Sequence, residues 1–199
     1  MDRRAFIQRG GSTLAAAAIP VLSPLTASAV VNTTIQKKVD NSTQNISIQA
    51  TKDFTQSDWL TIAVVQNHFF PSEADAPGAV EINALQYLHD YLSNPVTDPL
   101  DVEFILSGTH LLQTFSKQES PGGQTSLTDQ SIEQREVTLR KFEKESDGRR
   151  WLVTILNYVL EALLTDPVYG GNPGGIGWQW LEHRSGDPHP PMNKRYWLL

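Results

Sequence analysis

Residues 149–164 read Arg-Arg-Trp-Leu-Val-Thr-Ile-Leu-Asn-Tyr-Val-Leu-Glu-Ala-Leu-Leu, and this stretch decides the fold. Its apolar residues recur at helical spacing over most of the circumference of a helix, which indicates a core element. Asn157 and Glu161 interrupt the run, which is shorter than the roughly 18–20 apolar residues that span a bilayer. We therefore predict a buried helix here, against which the remaining helices pack.

Four further helices are predicted upstream, separated by short turns rich in Gly, Pro and Asp. The first begins near Thr55, which forms a capping box with Asp58 three residues later. The fourth has a narrow apolar face among many charges, which is typical of a surface helix. The chain is thus predicted to be all-α, with about five helices in one domain that covers residues 54–164. The predicted helices cover residues 55–70, 79–93, 100–117, 129–146 and 149–164.

The segments on either side of this domain differ from it in composition. Residues 30–53 are rich in Ser, Thr, Asn and Gln, which predicts a polar linker or an extended arm with at most a short strand at 45–50. Residues 165–199 contain six glycines and five prolines. Gly raises the entropic cost of order and Pro removes hydrogen-bond donors, so this tail is predicted to form neither helix nor sheet. Its aromatic side chains are too many for a disordered tail and are expected to pack on this domain or on a partner.

The first 29 residues have the pattern of a twin-arginine export signal. Paired arginines precede a short, weakly apolar run at 14–22, and a small-residue cleavage pattern follows. This route is an address for proteins that are already folded, so we expect a periplasmic protein that travels folded. The alternative is a general secretory signal that contains two arginines. The residues that define the signal are Arg3, Arg4 and Phe6 in the export motif, with Ala27 and Ala29 at the cleavage site.

Charge and cysteine content exclude several classes of function. The formal net charge is −6, and removal of the arginine-containing leader makes the chain more acidic. Such a chain has no electrostatic reason to bind nucleic acid. The sequence contains no cysteine, which excludes disulfides, thiolate metal sites, iron–sulfur ligation, covalently attached haem and cysteine nucleophiles.

No catalytic, cofactor-binding or metal-binding residue is predicted in this chain. The glycine-rich stretch at 166–178 follows a helix and has no nearby lysine, so it is interpreted as a structural loop and not as a phosphate cradle. There is no Gly-x-Ser-x-Gly elbow for a serine nucleophile. The histidines His68, His89 and His110 are spaced by 21 residues, but none of them has the i, i+4 partner that makes a zinc motif convincing. His183 and His189 in the tail are expected to form hydrogen bonds.

Several motifs together resemble one known family. The most specific part is Tyr169-Gly170-Gly171-Asn172 followed by Trp178, and the chain departs from the family pattern immediately after it, at residues 179–182. On these motifs the chain resembles subunit 3, the small subunit, of the gluconate 2-dehydrogenase type of FAD-dependent sugar dehydrogenase. The supporting motifs are Asp58-Trp59-Leu60, Asn67-His68-Phe69-Phe70-Pro71, Ala76-Pro77-Gly78-Ala79 and Asp166-Pro167-Val168.

This resemblance implies a subunit without an active site of its own. The large flavoprotein subunit of such a complex holds FAD and oxidises the sugar or sugar acid, and a multihaem cytochrome c subunit with haem c passes the electrons to the membrane. The small subunit carries the export signal and escorts the flavoprotein through the twin-arginine translocase to the periplasm, where the complex associates with the membrane. Two alternatives remain open: a stand-alone periplasmic helical binding protein, and a metal-dependent hydrolase that uses His68, His89 and His110. The residues expected to bind the partner are Tyr169, Gly170, Gly171, Asn172, Trp178 and Trp180.

Overall fold

A computed structural model describes residues 53–120, 123, 125–186 and 189–191. Three predicted features lie outside these ranges: the export signal, the arm up to residue 52 with the possible strand at 45–50, and the last aromatic residues, Tyr196 and Trp197. Across the described ranges the chain is helical and has no strand, which confirms the all-α prediction. None of these helices is both long enough and apolar enough to cross a membrane. The helices are α1 (Gln56–Phe69), α2 (Ala84–Leu92), α3 (Pro99–Glu119), α4 (Ile132–Phe142), α5 (Ser146–Leu164) and α6 (Ile176–Leu181).

Helix α5 is the centre of the fold, as its apolar pattern predicts. It packs against α1, α2, α3 and α6. The indole of Trp151 is fully buried, and its Nε1–H donates to the Ile105 carbonyl at 3.0 Å. This bond is possible because Gly108 has no side chain, and a Cβ there would overlap the Trp151 ring. The pairing of a bulky indole with a glycine fixes the approach of α3 to α5.

The first helix begins with the predicted capping box. The Thr55 backbone N–H donates to Asp58 Oδ2 at 2.8 Å, and the Asp58 backbone N–H donates to Thr55 Oγ1 at 3.3 Å. Burial alone would raise the pKa of Asp58, but the hydrogen bonds that it accepts from Thr55 and Gln113 lower this pKa below its ordinary value. The carboxylate therefore stays ionised inside the domain and ties α3 to the start of α1.

Two predicted helix boundaries are wrong. Helix α2 begins at Ala84 and not at residue 79, because Asn83 has a φ of 54° and interrupts the helical path. Residues 79–83 form turns, in which the Ala79 N–H donates to the Phe70 carbonyl at 2.7 Å. Helix α5 begins at Ser146, so Gly148 lies inside the helix and does not precede it. The absence of a Cβ at Gly148 lets the backbone of the preceding helix approach closely.

The prediction that the tail contains no helix is wrong at Ile176–Leu181, which form α6. The tail also contains two 3-10 turns, Pro167–Tyr169 and Pro173–Gly175. Leu181 is buried in a second hydrophobic cluster with Phe70, Ile82 and Leu163, and Trp180 packs against this cluster. The glycines and prolines prevent long elements here, but packing on the end of α5 stabilises short ones.

Candidate functional site

The glycine-rich loop is organised by a single buried side chain, Asn172, which is 0% exposed. Its Nδ2 donates to the Thr165 carbonyl at 3.0 Å, and its Oδ1 accepts from the Gly177 N–H at 2.7 Å. Its backbone N–H donates to the Ile82 carbonyl at 2.9 Å. Asn172 thereby joins the end of α5, the turn before α2 and the start of α6. Its left-handed backbone, with φ of 50°, is one that Asn tolerates better than most residues.

Two glycines let this loop approach α5 closely. A Cβ at Gly171 would lie 2.7 Å from the Ala162 carbonyl oxygen. A Cβ at Gly177 would overlap the Leu163 carbonyl oxygen. The glycines are therefore needed for backbone packing against α5, which agrees with the interpretation of the loop as structural.

Trp178 is only partly buried, and its position is fixed by the neighbouring chain. Its Nε1–H donates to the Leu164 carbonyl at 2.8 Å, one of the orphan carbonyls at the end of α5. The ring also stacks on the His189 imidazole, with centroids 5.7 Å apart and planes at 30°. Nδ1 of His189 is 2.9 Å from Asp166 Oδ2. This contact confirms the prediction that His189 forms hydrogen bonds. One face of the indole is covered by the imidazole.

The other predicted partner-binding residues have different exposures. Tyr169 and Trp180 are partly exposed, and the Trp180 ring meets Phe70 edge-on with centroids 6.0 Å apart. Gly171 and Asn172 are buried within this chain. The two buried residues can therefore act on a partner only by holding the loop in shape. Direct contact with a partner stays a prediction for the three aromatic residues.

A groove beside this loop contains residues that sequence reasoning missed. It has a volume of about 530 Å³ and lies between α2 and the end of α5. The Tyr87 hydroxyl donates to Glu161 Oε2 at 3.1 Å across it. Partial burial raises the pKa of Glu161 above its ordinary value. The sequence signal that could have indicated this groove is Glu161, because it interrupts the apolar run at 149–164. The groove is lined by Tyr87, Asn157, Leu160, Glu161, Leu164 and Thr165.

The three evenly spaced histidines lie beside three different carboxylates. No group of three or more His, Cys, Asp or Glu side chains in the described part of the chain could hold a metal ion. The metal-hydrolase alternative therefore has no ligand set among these residues. The pairs are His68 with Glu136 (2.6 Å, Nε2 to Oε2), His89 with Asp90 (3.6 Å, Nδ1 to Oδ1) and His110 with Asp58 (3.3 Å, Nε2 to Oδ1).

One protein-family model matches most of this chain. The family model described as gluconate 2-dehydrogenase subunit 3 matches residues 56–186. The chain belongs to the gluconate 2-dehydrogenase subunit 3 family. No curated protein and no solved structure matches it.

The family match extends from the first residue of α1 to just beyond α6. In this member of the gluconate 2-dehydrogenase subunit 3 family, the helical domain and the glycine-rich loop therefore fall within one matched region. The family name implies association with other subunits of a dehydrogenase complex.

Proposed function

We propose that this chain is the non-catalytic small subunit of a periplasmic FAD-dependent dehydrogenase of the gluconate or sugar type. It escorts the flavoprotein subunit through twin-arginine export and stabilises it afterwards. The observation that carries this proposal is the subunit 3 family match across residues 56–186. The matched region includes the glycine-rich loop at 166–178 and the aromatic residues Tyr169, Trp178 and Trp180. FAD is held by the flavoprotein, and a cytochrome subunit with haem c accepts the electrons.

The arrangement of the loop supports a docking role. Tyr169, Trp178 and Trp180 keep part of their surface exposed, although each is an aromatic side chain that a lone domain has reason to bury. Partly exposed aromatic residues on a fixed backbone are typical anchors of protein–protein interfaces. Asn172 fixes that backbone through hydrogen bonds to the carbonyl of Thr165 and from the N–H of Gly177.

The export signal supports the escort role. Arg3 and Arg4 address the chain to a translocase for folded proteins. A flavoprotein must fold around FAD in the cytoplasm. A flavoprotein subunit without its own export signal can therefore cross the membrane only when it is bound to a chain that has one. The complex then functions in the periplasm, where it associates with the membrane through its cytochrome.

The direct test combines a pull-down with an export assay. Tagged wild-type chain is purified from the periplasm of the source organism, and we expect an FAD-containing dehydrogenase subunit to be recovered with it. Replacement of Arg3 and Arg4 together by Lys should leave both chains in the cytoplasm. Recovery of the wild-type chain without a flavoprotein would contradict the proposal, as would normal export of the flavoprotein beside the double variant. The first result would favour the stand-alone binding protein.

A further inference from the structure

The chain turns back on itself directly after α6. Glu182 has a φ of 54°, a left-handed backbone that is uncommon for a residue other than Gly. Its N–H donates to the Gln179 carbonyl at 3.2 Å, and the N–H of His183 donates to the Trp178 carbonyl at 2.8 Å. These two bonds form a Schellman motif, in which a left-handed residue ends the helix and reverses the chain. The segment after α6 is therefore directed back toward the glycine-rich loop.

Two side chains of this segment, Ser185 and His189, hold an imidazole on the Trp178 ring, and we name them the His189 latch. Nδ1 of His189 faces Asp166 Oδ2, and its Nε2 lies 3.1 Å from Ser185 Oγ. An ionised carboxylate only accepts hydrogen bonds, so Nδ1 carries the proton that faces Asp166. In the neutral imidazole, Nε2 then accepts a hydrogen bond from the Ser185 hydroxyl. Because both ring nitrogens have partners, the imidazole is held stacked on the indole.

The groups under the latch are fixed by the loop and by α5. Asp166 caps the first turn of the loop, because its Oδ1 accepts a hydrogen bond from the Val168 N–H at 3.0 Å. Its other oxygen is the one that faces His189. The Trp178 ring is fixed by its bond to the Leu164 carbonyl. These contacts hold the indole and the carboxylate in place, whereas the latch lies on them.

The latch is held at the surface, unlike the loop beneath it. Every described residue of the segment, at 182–186 and 189–191, is exposed or partly exposed. The His189 side chain is 44% exposed, and polar contacts at the surface contribute little because water competes for the same groups. Asn172, which organises the loop, is instead fully buried. A partner can therefore displace the latch without unfolding the loop.

We propose that the His189 latch covers the face of Trp178 that contacts the flavoprotein subunit, and that binding of the flavoprotein displaces the latch. This inference rests on the proposed function and adds how access to Trp178 is controlled. In the free subunit the latch keeps part of a large aromatic surface away from water and from other proteins. The affinity for the flavoprotein is then reduced in proportion to the fraction of chains in which the latch is open.

The first test asks whether the latch covers Trp178 in the isolated subunit. His189→Ala removes the imidazole, and His183→Ala removes an exposed histidine from the same segment. Acrylamide quenching of fluorescence is measured, and the Trp178 signal is the difference between each protein and its Trp178→Phe counterpart. We expect the Trp178 quenching constant to rise at least twofold in His189→Ala and to stay unchanged in His183→Ala. If Trp178→Phe does not fold, the NMR shift of the Trp178 indole N–H gives the same comparison, because loss of a stacked ring changes that shift.

The second test measures binding, with the flavoprotein recovered with the tagged wild-type chain as the probe. We expect His189→Ala to lower the Kd severalfold, because the variant has no latch to open, and His183→Ala to change it less than twofold. A residue that contacts the partner, or that only supports the loop, would not strengthen binding when it is removed. The direction of the change therefore distinguishes a latch from both other roles. Circular dichroism verifies that the two variants fold.

The outcomes separate this inference from the proposed function. Equal quenching of Trp178 in His189→Ala and His183→Ala would show that His189 does not cover the ring, and the inference would be wrong. An unchanged or raised Kd for His189→Ala would also overturn it, while the flavoprotein still binds the wild-type chain. Failure of the wild-type chain to bind any flavoprotein would instead overturn the proposed function.

Discussion

Replacement of Asn172 by Ala should destabilise the loop that the proposed function needs. The side chain is fully buried and connects two segments, through the Thr165 carbonyl and the Gly177 N–H. Ala supplies neither the donor nor the acceptor. Water cannot replace them easily, because the bond to Gly177 is buried. The change therefore leaves an N–H group unsatisfied inside the protein.

The expected loss can be worked out from these contacts. An unsatisfied buried N–H at Gly177 costs about 1–3 kcal/mol, and the bond lost at Thr165 adds about 1 kcal/mol. Residue 172 has a φ of 50° and a ψ of 50°, and Ala in this left-handed conformation costs about 1 kcal/mol more than Asn. The sum is roughly 3–5 kcal/mol, a large part of the 5–15 kcal/mol that stabilises a typical domain.

Urea unfolding followed by circular dichroism measures this loss, and hydrogen exchange locates it. Exchange of the Gly177 amide should accelerate in Asn172→Ala even where the helical signal is retained. Asn172→Gly lacks the same side-chain bonds but adopts the left-handed conformation without strain, so it should be about 1 kcal/mol less destabilising than Ala. Asn157→Ala, on the surface of α5, should stay within about 0.5 kcal/mol of the wild type.

The reasoning is refuted by a specific pattern. If Asn172→Ala lowers the free energy of unfolding by less than about 1 kcal/mol and leaves exchange at Gly177 unchanged, the two side-chain bonds do not hold the loop. If Ala and Gly at this position are equally destabilising, the left-handed backbone contributes nothing, and the loss arises from hydrogen bonds alone.

Four further substitutions test the core, the acid response and the proposed interface. Gly108→Ala should destabilise the domain by about 1–3 kcal/mol, because the new Cβ overlaps the Trp151 ring; a melting temperature equal to that of the wild type would contradict this contact. Burial alone would raise the pKa of Asp58, but the hydrogen bonds that it accepts lower it, so its stabilisation is present above about pH 4 and is lost as the pH falls through the folded-state pKa. Asp58→Asn should therefore be less stable than the wild type at neutral pH and should lose less stability on acidification, which thermal melts at several pH values measure. Trp178→Ala and Trp180→Ala should each weaken flavoprotein binding by roughly 2–4 kcal/mol if the ring is an anchor, whereas an unchanged Kd with a lowered melting temperature would assign the ring to this subunit's own packing.

Local patterns in the sequence were enough to predict the first helix cap, the core helix and the family. The capping box at Thr55 and Asp58 needs only residues three apart, and the apolar spacing at 149–164 identifies a core helix because one helix places those side chains on adjoining faces. The motif Tyr169-Gly170-Gly171-Asn172 indicated the family through its residue order alone. The glycine-rich stretch was interpreted as a structural loop because it follows a helix and has no nearby lysine, and the close packing of Gly171 and Gly177 on α5 agrees with this. The composition of the tail wrongly predicted that it contains no helix, because α6 is stabilised by packing against α5.

Only the tertiary structure decided which of these residues face a neighbour and which do not. Asn83 interrupts the helix predicted at 79–93 because its backbone is left-handed, with φ of 54°. The turn that contains it places the Ile82 carbonyl where it accepts a hydrogen bond from the N–H of Asn172, 90 positions later in the chain. The periodicity of α5 predicted burial on most sides, yet Val153 and Leu164 remain exposed, because no other described element of the domain covers that side. Spacing along one helix records which side chains share a face. Whether that face is covered depends on segments that lie far apart in the chain.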